Sequence, residues 1–284
     1  MAALAVELLP AAVFGFAGDR VGHVAGRWPP AVRFGLPALL VLPYLLVSLS
    51  RHMFRWEWCA LYVGLPVITA WLLGRAAVAD PEQRGNWRDA VILLVLGLAV
   101  DLRWFEAAWP TGLRALNELL LVDVGLYGFM AIRQLSGTGF DFHLRWSDWK
   151  TGLRELVFFA PLALVVGLLL HFLHPHANRP QPGWAALQWV AIFFFTAAPE
   201  ELFFRGWVQN LLERRVGRQV ALAITAVLFG LSHFNKKSVH FNWRYVLLAT
   251  IAGIFYGRAW RERRRVPAST ITHASVDWIW GLWF

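Results

Sequence analysis

The chain is apolar and basic. Of its 284 residues 58% are hydrophobic and 16% are charged, and 17 are tryptophans. This composition excludes an ordinary soluble domain and favours a membrane protein. The formal net charge of +9 does not indicate nucleic-acid binding, because the basic residues lie in short loops between apolar segments. A single cysteine, Cys59, excludes an intrachain disulfide and a thiolate metal cluster.

Apolar segments that approach the roughly 20 residues needed to cross a bilayer recur along the whole chain. They are 2–17, 34–50, 57–74, 89–105, 115–132, 155–173, 184–212, 219–240, 243–260 and 266–284. We therefore predict an all-α fold, a polytopic transmembrane helical bundle of about 8–10 spans. The first segment is short and contains Glu7 and Pro10, so an interfacial helix is the alternative there.

The distribution of basic residues predicts the orientation of the chain. Lys and Arg are more frequent on one set of alternate loops, which includes Arg214, Arg215, Arg218 and the run from Arg258 to Arg265. By the positive-inside rule this side is cytoplasmic. We expect an integral membrane protein of a prokaryotic cell membrane, with the Arg-rich loops in the cytoplasm.

The two parts of the chain differ in chemistry. Residues 1–154 form predicted spans without chemical motifs, in which Asp123 is expected to make an interhelical hydrogen bond. The hydrophilic stretch 133–154 is predicted to be a cytoplasmic loop on the membrane surface. Residues 155–284 carry all the motifs and form the predicted catalytic core, and both parts belong to one integral membrane unit.

The first motif is a pair of glutamates in an apolar segment. Glu200 and Glu201 follow Pro199, and Arg205 lies four residues after Glu201. In a helix Glu201 and Arg205 share a face and can pair, whereas Glu200 points about 100° away. A charged carboxylate at membrane depth costs about 2.5 to 3.5 kcal/mol, so an unpaired one indicates a functional site.

Two further motifs carry histidines. His233 ends the sequence from Phe229 to His233, and His273 and Asp277 lie four apart in the last apolar segment. From the flanking arginines and a rise of 1.5 Å per residue, Glu200, His233, His273 and Asp277 fall within about two helical turns of one another in depth. A common site is therefore possible.

These motifs resemble a known family. Glu-Glu-x-x-x-Arg, Phe-x-x-x-His and His-x-x-x-Asn or Asp, in that order on separate spans, are similar to the CPBP (abortive-infection-like) family of intramembrane glutamic endopeptidases. The family is related to the type II CAAX prenyl endopeptidases, and the resemblance covers residues 184–284. It implies a four-helix catalytic core near the carboxyl terminus.

The resemblance also implies roles for individual residues. Glu200 is the general base that activates water, and His233 holds that water. Glu201 and Arg205 form a supporting ion pair. His273 and Asp277 stabilise the oxyanion. No metal or other cofactor is implied.

Asp277 departs from the asparagine found in much of the family. An ionised aspartate cannot donate a hydrogen bond to an oxyanion and repels it. Either Asp277 is protonated and donates, or it orients His273 and favours its cationic form. The second interpretation is preferred.

The predicted function is hydrolysis of a peptide bond in a membrane-associated protein tail or transmembrane segment. The expected partners are this polypeptide substrate and the lipid bilayer, without nucleic acid. Two alternatives stay open. One is a non-catalytic membrane protein that uses the same polar cavity, either a proton-coupled transporter or a scaffold. The other is a metal-dependent protease, in which the carboxylates and imidazoles of the motifs are ligands: Glu200, Glu201, His233, His273 and Asp277.

A second group of histidines lies near the end of one predicted span. His171, His174 and His176 flank Pro175. Because a proline beside the end of an apolar segment favours a turn, we predict an interfacial turn there rather than a metal site.

Overall fold

A computed structural model describes residues 2–176, 180–236 and 240–284. Helix makes up 79% of the chain, and no strand occurs in these described ranges. The predicted all-α, polytopic helical fold class is confirmed. Helices suit an apolar chain in lipid because they pair their own backbone N–H and C=O groups.

The first five helices match the first five predicted segments in order. They are α1 (Ala2–Ala25), α2 (Pro30–Ser50), α3 (Trp56–Ala79), α4 (Trp87–Asp101) and α5 (Thr111–Ile132). Helix α1 is kinked at Ala17, whose φ is −142°. At the start of α4 the Asn86 side chain accepts a hydrogen bond from the Arg88 N–H at 2.9 Å, which caps the helix.

The remaining helices match the second half of the segments. They are α6 (Trp146–Leu169), α7 (Pro182–Val216), α8 (Arg218–Leu231), α9 (Trp243–Arg263) and α10 (Val266–Trp283). A single residue, Gly217 at φ 79°, separates α7 from α8. Glycine reaches this positive φ without the steric cost that a side chain would add.

Five of the described helices are long and apolar enough to cross a membrane: α2, α3, α5, α6 and α7. Apolar stretches in α1 and α8 are shorter. Helices α4, α9 and α10 do not meet this criterion, although all three were predicted as spans. The buried side chains of α10 include Ser269, Thr270 and Thr272. Such residues lower the mean hydropathy of a helix even when they face protein rather than lipid.

Packing divides the chain into two compact units, Met1–Ser136 and Gly137–Phe284. The predicted division at residue 154 follows the motifs rather than the packing and stays a prediction. Within the second unit, α9 packs against α6, α8 and α10, and α10 also packs against α7. A cluster of buried side chains from α6 to α9 forms a core there: Phe159, Phe204, Phe229, Ala249, Ala252 and Tyr256.

The stretch 133–154 is not a loop throughout, because α6 begins at Trp146. The Asp148 carboxylate accepts a hydrogen bond from the Arg145 N–H at 2.9 Å and caps the helix. Arg265 donates to Asp148 at 2.7 Å and to Asp141 at 2.8 Å. Burial raises the pKa of the Asp141 carboxyl, but hydrogen bonds from Arg265 and His143 outweigh it and hold that pKa below its ordinary value.

Buried polar groups also occur in the first unit. Tyr62 donates to Asn117 Oδ1 at 2.8 Å and accepts from the Trp109 indole at 2.7 Å. The hydrogen bond expected at Asp123 is not made by its Oδ2, which is buried and has no hydrogen-bond partner within the described ranges. Both carboxyl oxygens of Glu7 are buried in the same way.

The segment that contains the three histidines follows the end of α6. His171 has a φ of 49°, and the N–H of His176 donates to the carbonyl of Trp283 at 3.0 Å. The positive φ at His171 marks a turn of the backbone. Its predicted position at the membrane interface stays a prediction.

Candidate active site

Helix α7 carries both glutamates between two wide helical segments. The backbone is π-helical over Phe193–Ala197 and again over Leu202–Gln209. In an α-helix the ring of Pro199 would clash with the carbonyl of the residue four positions earlier, and the first wide segment lies at that place. Such π turns are rare in helices and frequent at functional sites.

Glu201 and Arg205 form a buried ion pair. Arg205 Nη1 donates to Glu201 Oε1 at 2.9 Å, and neither side chain is exposed. The guanidinium also donates to the Gly253 carbonyl at 3.1 Å and lies 4.5 Å from the centre of the Phe229 ring. These contacts compensate the desolvation of both charges.

Two glycines of α9 accept hydrogen bonds from side chains of α7. The Gly253 carbonyl accepts from Arg205, and one helical turn later the Gly257 carbonyl accepts from Gln209 Nε2 at 3.4 Å. A Cβ on Gly257 would lie 2.6 Å from the Gln209 side-chain oxygen. The absence of a side chain therefore permits the contact that holds α7 against α9.

His273 connects the two glutamates. Its Nδ1 lies 2.8 Å from Glu201 Oε1, and because a carboxylate accepts, Nδ1 is the donor. Its Nε2 lies 3.4 Å from Asp277 Oδ2 and 3.9 Å from Glu200 Oε2. The ring stacks on Tyr256 with centroids 4.6 Å apart. Glu201 and Tyr256 thus fix the orientation of the imidazole.

Glu200 differs from its neighbour. Its side chain is 25% exposed, and Oε1 lies 3.7 Å from the Lys236 Nζ. Its Oε2, like that of Glu201, is buried and has no hydrogen-bond partner in the described part of the chain. One glutamate is therefore neutralised inside the protein, and the other presents an oxygen that can accept a hydrogen bond.

His233 lies in the turn that follows α8. Its Nδ1 is 2.8 Å from the Phe229 carbonyl, which can only accept, so Nδ1 carries a proton. In the neutral ring Nε2 is then an acceptor. The ring packs on Phe229 at 4.9 Å and on Tyr245 at 4.7 Å, both between centroids. His233 is also among the electrostatic neighbours of Glu200.

The structure brings the predicted residues together in two ways. Direct ion contacts link five of them. The pairs are Glu201–Arg205, Glu201–His273, Glu200–His273 and Asp277–His273. His233 joins through the Phe229 ring, which contacts His233 at 4.9 Å and His273 at 5.6 Å.

Sequence reasoning missed Lys236 and Tyr256. The N–H of Lys236 donates to the His233 carbonyl at 3.2 Å, so the two residues share one turn. The position of Lys236, three residues after His233, was the available signal. Tyr256 gave no comparable signal, because an aromatic residue in an apolar helix ordinarily belongs to the core.

A metal-dependent protease would need several metal ligands close together. Across residues 2–176, 180–236 and 240–284, no group of three or more His, Cys, Asp or Glu side chains is arranged to hold a metal ion.

Fold and site together define a helical membrane protein with a buried carboxylate–histidine site, and comparison with protein families agrees. Residues 182–279 match the family model described as type II CAAX prenyl endopeptidase Rce1-like. The match contains every residue of the site and confirms the family expected from the three motifs. No curated protein and no solved structure gives a match. The matched family consists of proteases, and the apolar helices make the chain an integral membrane protein.

Proposed function

We propose that the chain is an intramembrane endopeptidase that hydrolyses a peptide bond in a membrane-associated protein tail or segment. The observation that carries the proposal is the state of Glu200. Its Oε2 is buried without a hydrogen-bond partner in the described ranges and lies 3.9 Å from His273 Nε2. A water molecule bound at this oxygen would be next to the groups that hydrolysis requires.

In the proposed reaction Glu200 is the general base. It removes a proton from water while the water oxygen attacks the substrate carbonyl carbon, and the π electrons of the carbonyl move to its oxygen. His233 Nε2 accepts the other hydrogen bond of the water and holds it in place. When the tetrahedral intermediate collapses, the C–N bond breaks and the proton taken by Glu200 passes to the leaving amine.

The surrounding residues position this machinery. Arg205 neutralises Glu201, and Glu201 in turn holds His273 through Nδ1. The contact of 3.4 Å between Asp277 and His273 Nε2 supports the role in which Asp277 orients the imidazole. An imidazolium there would balance the charges, because the site holds three carboxylates and the cations Arg205 and Lys236.

The proposed substrates follow from the matched family and the medium. The family is described as a prenyl endopeptidase, so prenylated polypeptide tails presented in lipid are the first substrates to test. The proposed location is a prokaryotic cell membrane with the Arg-rich loops in the cytoplasm, where basic residues are concentrated in such proteins.

The test compares variants of the protein reconstituted in lipid. A panel of tail peptides, prenylated and unmodified, is offered to the parent, Glu200→Gln and His233→Ala. Glu200→Gln should lower the rate of cleavage at least about 100-fold, because general-base catalysis supplies about 10² to 10⁴. Glu82→Gln is the matched control, since this glutamate lies in an exposed loop, and it should cleave at the parental rate.

Two results decide the mechanism. Unchanged cleavage by both site variants would overturn the water-activation mechanism. Cleavage that survives a chelator but is lost in Glu200→Gln would favour activation by the carboxylate over the metal-dependent alternative.

A further inference from the structure

The site contains an accessible cation that belongs to none of the three motifs. Lys236 Nζ lies 3.7 Å from Glu200 Oε1, and its side chain is 38% exposed. Arg205, the other cation of the site, is fully buried and bonded to Glu201 and to the Gly253 carbonyl. A substrate that approaches Glu200 would therefore meet the ammonium of Lys236 rather than the guanidinium.

Both backbone groups of Lys236 make hydrogen bonds. Its N–H donates to the His233 carbonyl at 3.2 Å, and its carbonyl accepts from Asn242 Nδ2 at 3.1 Å. The N–H of Asn242 donates to the Phe234 carbonyl at 2.8 Å, and its side chain accepts from the Tyr245 N–H at 3.3 Å. The turn that positions His233 thus also positions Lys236 and connects it to the start of α9.

The residues predicted to stabilise the oxyanion offer it a single donor, His273 Nε2. His273 Nδ1 donates to Glu201, and Nε2 faces the carboxylates of Asp277 and Glu200 at 3.4 and 3.9 Å. An ionised Asp277 accepts hydrogen bonds but cannot donate them. The tetrahedral intermediate of peptide hydrolysis nevertheless requires donors aimed at its oxyanion.

We propose that the ammonium of Lys236 donates to the oxyanion formed when water activated at Glu200 attacks the substrate carbonyl. This inference rests on the proposed function. In a reactive complex the carbonyl carbon lies about 3 to 3.5 Å from the attacking oxygen. Its oxygen is then within reach of an ammonium group that contacts the same carboxylate. Lys236 keeps its protons throughout. When the C–N bond breaks, a lone pair of the oxyanion re-forms the C=O double bond.

The first experiment separates catalysis from binding. Loss of one oxyanion donor costs about 10² to 10³ in kcat, so Lys236→Met should show this loss with KM within twofold of the parent. Lys236→Arg retains the charge and should keep part of the activity. Arg244→Met is the matched control, because Arg244 is an exposed cation in the first turn of α9 that lies over Trp243, and it should match the parent.

The second experiment restores the charge chemically. Lys236→Cys is prepared with Cys59→Ala, so that one thiol remains, and is treated with 2-bromoethylamine, which rebuilds a side chain ending in an ammonium. At least tenfold recovery of kcat is expected, whereas iodoacetamide, which adds a neutral amide, should give none. Equal effects of the two reagents, or no recovery with either, would overturn the proposal and indicate a structural role.

A third measurement tests whether Lys236 instead binds the carboxylate at the end of the substrate. Tail peptides with a free carboxylate are compared with the same peptides as carboxamides. A loss in Lys236→Met that appears in KM and only for free carboxylates would overturn the oxyanion role. Parental activity of Lys236→Met beside an inactive Glu200→Gln would refute this inference alone. Parental activity of Glu200→Gln would refute water activation by Glu200 and this inference together, although cleavage itself would persist.

Discussion

Two buried carboxyl groups of the first unit and one of the second lie in opposite surroundings. Glu7 and Asp123 in the first unit and Glu201 in the second are each at most 2% exposed. Glu201 receives hydrogen bonds from Arg205 and His273. These two bonds reach Oε1 of Glu201, whereas its Oε2, both oxygens of Glu7 and the Oδ2 of Asp123 have no hydrogen-bond partner within the described residues. Similar burial is therefore combined with very different compensation.

The difference shows two ways in which a membrane protein tolerates a buried acid. A carboxylate next to a cation keeps its charge and can orient a neighbouring group, as Glu201 orients His273. A carboxyl without a cation is tolerated best as the neutral acid, because an isolated charge at membrane depth costs several kcal/mol. The first arrangement is the one found in the proposed site, at Glu201.

The largest effect is expected when the cation beside Glu201 is removed. Arg205→Met leaves Glu201 buried without its guanidinium partner and should lower the free energy of unfolding by about 3 to 5 kcal/mol. Chemical unfolding in detergent, followed by tryptophan fluorescence, measures the change. The double variant Arg205→Met, Glu201→Gln removes both charges and should regain a large part of the loss. Equal instability of the single and double variants would contradict the charge argument.

A smaller effect is expected where a carboxylate is partly exposed. Asp277 is 30% exposed and contacts His273 at 3.4 Å. A pair of this kind is worth up to about 1 kcal/mol, which corresponds to about fivefold in a rate constant. Asp277→Asn should therefore lower kcat about fivefold and leave the unfolding midpoint nearly unchanged. A rise in kcat would show instead that an amide donor is better there, as expected if position 277 itself faces the oxyanion.

Asp141 is a carboxyl group outside the predicted spans, and its stability contribution can be compared with those of the buried carboxyls. The folded-state pKa of Asp141 lies below its ordinary value. The pairing with Arg265 thus contributes stability above the pKa of an unfolded aspartate, about 3.9, and loses it as the pH falls through the folded-state pKa. Asp141→Asn should be less stable than the parent by up to about 1 kcal/mol at pH 6. The difference should vanish in strong acid, and one that is independent of pH would refute the assignment.

The smallest effect is expected at Glu7. If the side chain is a neutral acid, Glu7→Gln replaces one uncharged polar group by another of similar size and should change the free energy of unfolding much less than Arg205→Met does. The same fluorescence measurement tests this, with Glu201→Gln as the comparison. A loss as large as that of Arg205→Met would mean that Glu7 is ionised and has a cationic partner.

The sequence predicted the helices, which follow from repeated apolar segments, and the contacts within one helix, which follow from helical spacing. Apolar segments indicated each helix, because a chain in lipid must pair its backbone groups locally. The four-residue interval between Glu201 and Arg205 indicated an ion pair, which is present at 2.9 Å. The family was also predictable, because three motifs in a fixed order are far more specific than any one of them.

Contacts between distant segments could not be predicted in this way. The imidazole of His273 was expected to face an oxyanion, yet one of its nitrogens binds Glu201, which lies on another helix. Lys236 reaches Glu200 through a turn whose course depends on Asn242. The start of α6 at Trp146 depends on Arg265, which fixes Asp148 from far along the chain. Spacing along one helix contains no information about such partners.

The wide turns of α7 determine where this helix could lose a residue without a change in its site. Over Leu202–Gln209 each turn accommodates more residues than an α-helix would. Deleting one residue there would let the segment close as an α-helix, so the parts of α7 before and after it would keep nearly the same relative orientation. A deletion in a regular α-helical part would instead rotate one part by about 100° relative to the other. A one-residue gap within Leu202–Gln209 that retains Arg205 would therefore be compatible with an intact site in a related chain, whereas a gap in an α-helical part of α7 would indicate a changed one.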